Sequence, residues 1–122
     1  MASVIAITNM KLEAEQKKAY IDALGTAITT GFGIGPQFRS IMWLPIADDD
    51  MSEHTGLVLN LFLFTAPNKP IEAKRQVVKN IQEVTEKFFG AGKVRVVAIM
   101  KEHADENVGV DGILRYDAKR SS

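Results

Sequence analysis

Leu57-Val58-Leu59-Asn60-Leu61-Phe62-Leu63-Phe64 is the stretch on which the reading of this sequence turns. A near-continuous apolar run bounded by polar loops is the pattern of a strand buried on both faces, not of one wetted at alternate positions. Asn60 interrupts it, and an amide in such a place needs hydrogen-bond partners. It reads as a satisfied core amide, with a position lining a channel between copies as the alternative. Downstream, Asn68 to Pro70 opens a helix whose apolar stripe is Val77, Ile81, Val84 and Phe88. Gly90 and Gly92 end that helix, and Val94 to Met100 forms the next strand.

Upstream the same order appears once more. Val4 to Thr8 is a short β-branched strand, followed by a helical pattern from Lys11 to about Gly31. Ala19, Ala23, Leu24, Ala27 and Ile28 recur at helical spacing, while Glu13, Glu15, Lys17, Lys18 and Asp22 take the other face. Gly31, Gly33, Gly35 and Pro36 stop the helix, because glycine supplies positive φ and proline cannot continue it. Gln37 to Ile46 is a second strand, carrying Met42 and Trp43 as core or interface residues, and Ala47 to His54 is an acidic loop.

Shifting the first half by about 57 positions lays Ile21 on Val78, Leu24 on Ile81, Ala27 on Val84, and Gly33 and Gly35 on Gly90 and Gly92. The reading is one α+β domain over residues 1–122, with pseudo-repeats at about 2–46 and 56–100. Each repeat is a β-α-β unit with parallel strands and a right-handed crossover. The expected fold is a four-stranded mixed sheet with two helices on one face. Beyond it, Asp111-Gly112 between apolar neighbours marks a C-terminal hairpin at about 107–116, and the tail from Asp117 to Ser122 reads as polar and frayed.

Composition narrows the function classes. The 122 residues are 46% hydrophobic and 25% charged, with 15 basic side chains against 15 acidic ones. A balanced chain without a basic run interleaved with aromatics does not point to nucleic acid, whose affinity comes largely from cations on phosphate. Without cysteine, disulfides, thiolate metal sites and thiol nucleophiles are excluded. No apolar segment reaches the ~20 residues of a membrane helix, and the N-terminal residues do not form a signal peptide, so a cytoplasmic location is expected. Asp48-Asp49-Asp50 with Glu53 and His54 reads as a solvated acidic loop, since consecutive carboxylates point in different directions. Neither a metal nor a cofactor is expected.

Four features together resemble the tautomerase superfamily, which includes 4-oxalocrotonate tautomerase and macrophage migration inhibitory factor. They are the strand beginning at Ala2, the turn Gly31-Phe32-Gly33-Ile34-Gly35-Pro36-Gln37, the strand opening Lys93-Val94-Arg95-Val96-Val97, and the hairpin Asn107-Val108-Gly109-Val110-Asp111-Gly112. The resemblance implies a homotrimer with sheets around a threefold axis and the hairpin crossing to a neighbour. It also implies isomerase activity on a small keto or enol carboxylic acid.

In that family an N-terminal proline amine is the acid and base. Here the position holds Ala2. Loss of Met1 would give Ala2 a primary amine, a group that titrates at about 7.7–8.0 and can accept a proton or form a Schiff base. Arg95 matches a family arginine that holds the substrate carboxylate, a role suited to its two-point fork. A surface arginine at the sheet edge is the alternative. Lys11 falls near another cationic family position, with a solvated helix-start lysine as its plainer reading. Arg39 is a further candidate whose direction the spacing does not fix. Ile34, Val97 and Ile99 replace polar or aromatic pocket residues, and Thr65-Ala66-Pro67-Asn68 lacks the arginines of the dehalogenase and decarboxylase branches. A non-catalytic trimeric binding module is the alternative function, and a ferredoxin-like domain of the same β-α-β-β-α-β order is the alternative fold.

Overall fold

A computed structural model describes residues 2–52 and 56–120. Four long strands form one sheet: β1 (Ala2–Thr8), β2 (Arg39–Pro45), β3 (Leu57–Thr65) and β4 (Val94–Glu102). Its order is β2-β1-β3-β4. Strand β1 runs parallel to β2 and β3 runs parallel to β4, as two β-α-β units require, while β1 and β3 meet antiparallel at the centre. Helices α1 (Ala14–Phe32) and α2 (Ile71–Phe89) pack on each other and on the sheet. They cover the face bearing Val4, Ala6, Leu59, Leu61 and Leu63, all nearly or fully buried.

The two halves coincide under the offset read from the sequence. Both helices are 19 residues long, and adding 57 to the bounds of α1 gives those of α2. The central antiparallel pairing sets Ile5 opposite Phe62, its own counterpart, so the pseudo-twofold axis passes between these residues. The ends of the strands obey the same symmetry. Ile46 donates its N–H to the Thr8 carbonyl, and His103 donates to the Thr65 carbonyl, each at 2.8 Å.

Local boundaries shift for identifiable reasons. Helix α1 begins at Ala14, not Lys11, because the preceding residues are held in extended form: the Met10 N–H donates to the Thr8 hydroxyl, and the Asn9 side chain is engaged across the chain. It ends where glycine permits. Gly33 takes φ 71°, and its N–H together with that of Ile34 caps the last carbonyls. Residues Pro36–Phe38 form one 3₁₀ turn, so β2 starts at Arg39. Pro70 caps α2 without a side-chain hydrogen bond. The Glu102 carboxylate from the end of β4 takes that part, accepting from the Lys69 N–H at 3.0 Å and pairing with Lys74 at 3.3 Å. These contacts, the Lys69 N–H first, hold its pKa below the usual carboxylate value.

The expectation that β3 is buried on both faces is met on one. Leu59, Leu61, Leu63 and Thr65 lie in the core, whereas Asn60, Phe62 and Phe64 are half-buried on the side away from the helices. That second face is apolar and uncovered in the single chain, with Met42 58%, Leu44 49% and Ile99 54% exposed. Beyond β4, β5 (Gly109–Val110) and β6 (Ile113–Leu114) form the short hairpin. The segment after it is helical rather than frayed: α3 covers Arg115–Arg120. Among the described residues no helix is long and apolar enough to cross a membrane.

Candidate functional site at the start of the first strand

Strand β1 lies inside the sheet, so its first residues are flanked on both sides. Ala2 is in register with Arg39 of β2, and Ser3 is paired with Phe64 of β3, which is paired in turn with Lys101 of β4. At this end the chain leaves β4 at His103, whose N–H to the Thr65 carbonyl ties it to the sheet. The His103 ring then stacks on Phe64, with centroids 5.3 Å apart and planes 24° from parallel. A 3₁₀ turn at Asp105–Asn107 and the hairpin bring Arg115 back to the same place. Its N–H donates to the Val108 carbonyl at 2.8 Å, and its Nε lies 3.5 Å from Asp105 Oδ1. Ser3, Phe64, Thr65, His103, Asp105 and Arg115 bound a cavity of about 60 Å³.

Of the residues singled out from the sequence, Ala2 alone borders this end with its chemistry unassigned elsewhere. Arg39 stands beside it in register, but its guanidinium is directed to α1. It donates to the Thr26 hydroxyl at 2.9 Å and the Asp22 carbonyl at 3.3 Å. Gly25 makes this possible, since a Cβ there would fall 2.7 Å from the Arg39 stem.

Arg95 and Lys11 lie at the opposite end of the sheet. Arg95 is in register with Val58, six residues along β3 from Phe64, which is roughly 20 Å at strand spacing. It borders a cleft of about 480 Å³ together with Ile46, Met51, Asn60 and Val97. Asn60 is half-buried there, neither a sealed core amide nor a surface one. Lys11 borders a separate recess with Asp48 and Phe89. Between these recesses Asn9 works as a structural clasp. It donates to Asp48 Oδ1 and the Gly56 carbonyl and accepts from the Val58 N–H. Ala2 and Arg95 of one chain therefore cannot touch one small ligand. Glu53 and His54 lie outside the described residues, and among the described residues no group of three metal-ligating side chains forms.

Sequence reasoning singled out neither His103 nor Arg115 as a site residue. Neither belongs to a motif. Their only sequence signal is position: His103 stands 57 residues beyond Ile46, where the second unit ends, and Arg115 follows the hairpin turn.

A duplicated β-α-β sheet of this order and pairing is a recognisable fold. It is the tautomerase-superfamily fold, and solved structures of that class superpose on nearly the whole chain. A fused 4-OT solved as a symmetric trimer aligns with TM-score 0.82 at 15% identity, covering 95% of this chain and 98% of that one. A malonate semialdehyde decarboxylase aligns with TM-score 0.80 at 18% identity, covering 98% of both chains. The macrophage migration inhibitory factor of Toxoplasma gondii aligns with TM-score 0.73 at 6% identity, covering 89% and 96%. By sequence, no family model and no curated protein matches. At these identities the likeness is one of fold.

Proposed function

We propose that this chain is a tautomerase-like isomerase for a small keto or enol carboxylic acid, with the Ala2 α-amine, exposed by removal of Met1, as proton carrier. The observation that supports this reading best is the placement of Ala2 at the head of an inner strand, next to Ser3 and the cavity flanked by His103 and Arg115. An amine there has a cation nearby to hold a carboxylate and low-dielectric walls to favour proton transfer near neutral pH. The reading extends to a cytoplasmic homotrimer, since the apolar sheet face is uncovered in one chain and fused 4-OT relatives are trimers. Arg95 or Lys11 can serve the Ala2 amine only from a neighbouring copy, because within one chain they are at the far end of the sheet.

The test is intact mass followed by deuterium exchange at C3 of pyruvate. The expected result is a mass lacking Met1 and exchange that drops at least about 100-fold when an extra residue precedes Ala2, the loss typical of a displaced general base. Exchange that survives the extension removes Ala2 from the mechanism. The second reading is a non-catalytic trimeric module. The observation favouring it is the dispersal of Arg39, Arg95 and Lys11, and absence of any exchange in a trimer of correct mass selects it.

A further inference from the structure

We propose that Arg115 receives the ligand's carboxylate at the Ala2 end, and that Asp105 occupies this position in the unliganded protein and is displaced on binding. This deepens the isomerase reading by naming its anion subsite, yet it concerns binding alone. The Asp105 contact is made through Nε at 3.5 Å, beyond good hydrogen-bond distance. It is thus weaker than the two-point fork a carboxylate makes with a guanidinium at its best. Arg115 and Asp105 side chains are 26% and 31% exposed, so an incoming anion can reach the pair and exchange with it.

The surroundings select the size and kind of ligand. A cavity of about 60 Å³ has room for roughly four waters, which suits an acid of three or four carbons. Phe64, Ala66 and Val108 supply apolar wall, while the Ser3 hydroxyl and the His103 ring supply polar groups for a carbonyl oxygen. His103 is held in place by its stack on Phe64 and its backbone bond to Thr65, so the wall is organised before a ligand arrives.

The imidazole is also a native reporter. The chain has 2 histidines, and His103→Gln assigns the ring signals in a proton NMR spectrum. The probe is pyruvate, with neutral pyruvamide as control. Expected is a saturable shift of the His103 ring signals by pyruvate and none by pyruvamide. Arg115→Gln should weaken pyruvate about tenfold or more, as loss of a charge-assisted pair does. Asp105→Asn should tighten it about two- to fivefold, the scale of an exposed ion pair. Arg115→Lys, which keeps the charge and loses the fork, serves if Arg115→Gln does not fold, and a clear loss of affinity is expected there as well.

Pyruvate affinity unchanged in the Arg115 variant that folds, no tightening in Asp105→Asn, or no shift in either the wild type or Asp105→Asn overturns the proposal. Binding with these dependences but no deuterium exchange sinks the isomerase reading and leaves the anion site standing.

Discussion

Tyr20 carries its hydroxyl into the centre of the molecule, fully buried, with its ring edge-on to Trp43 and Phe89 at 5.9 and 4.8 Å. Thr85 donates to the Ile81 carbonyl, so Tyr20 must be the donor in the 2.7 Å bond between the two hydroxyls. Burial of the phenol pushes the Tyr20 pKa to about 12 from 10.0. The folded state therefore keeps its proton more tightly than the unfolded chain. The stabilisation is whole below pH 10 and is lost as pH rises through about 12. Tyr20→Phe should cost ~1 kcal/mol near neutral pH, the net worth of one hydrogen bond. It should also flatten the decline of stability between pH 10 and 12, measured by denaturant unfolding across that range. A decline equally steep in the variant would place its origin elsewhere.

At the scale of elements, Gly31 of α1 sits directly against Val77 of α2. A Cβ on Gly31 would lie 2.6 Å from Val77 Cγ2 and 2.8 Å from its Cα, so backbone as well as side chain must move. Alanine is ordinarily favoured over glycine within a helix by about 1 kcal/mol. Here overpacking should outweigh that preference, and Gly31→Ala should destabilise by ~1–3 kcal/mol. A raised melting temperature in this variant would show that the helices can separate at little cost. The hairpin follows a local rule: Asp111 and Gly112 both take positive φ, 52° and 86°, as a two-residue turn of the primed type requires.

For the whole molecule, the sheet has one face in the core and one apolar face open, and the second is what a single chain cannot satisfy. Met42, Ile5, Phe62 and Ile99 follow one another across it in register. An apolar surface spanning four strands is larger than monomeric proteins usually leave wet. Met42→Glu combined with Ile99→Glu should dissociate the proposed trimer to monomers while the fold, held by the opposite face, persists in circular dichroism. A trimer surviving both charges in native mass spectrometry would move the interface to another surface.

The order of elements, the 57-residue repeat, the glycine stop of α1 and the Asp111-Gly112 turn were legible in the sequence because each rests on local chemistry: periodicity, β-branching, or a backbone conformation that one residue type favours. Arg39 shows where that ends. Adjacent to Ala2 in register, it still turns to α1, because Gly25 leaves it room. Arg95 and Ala2, both strand openers by sequence, are separated by the antiparallel pairing of β1 with β3. His103 and Arg115 carry no pattern at all and meet only because β4 and the hairpin return to the head of β1. Side-chain direction and long-range pairing depend on contacts between residues far apart in the chain, so tertiary structure alone decided which charges share the cavity.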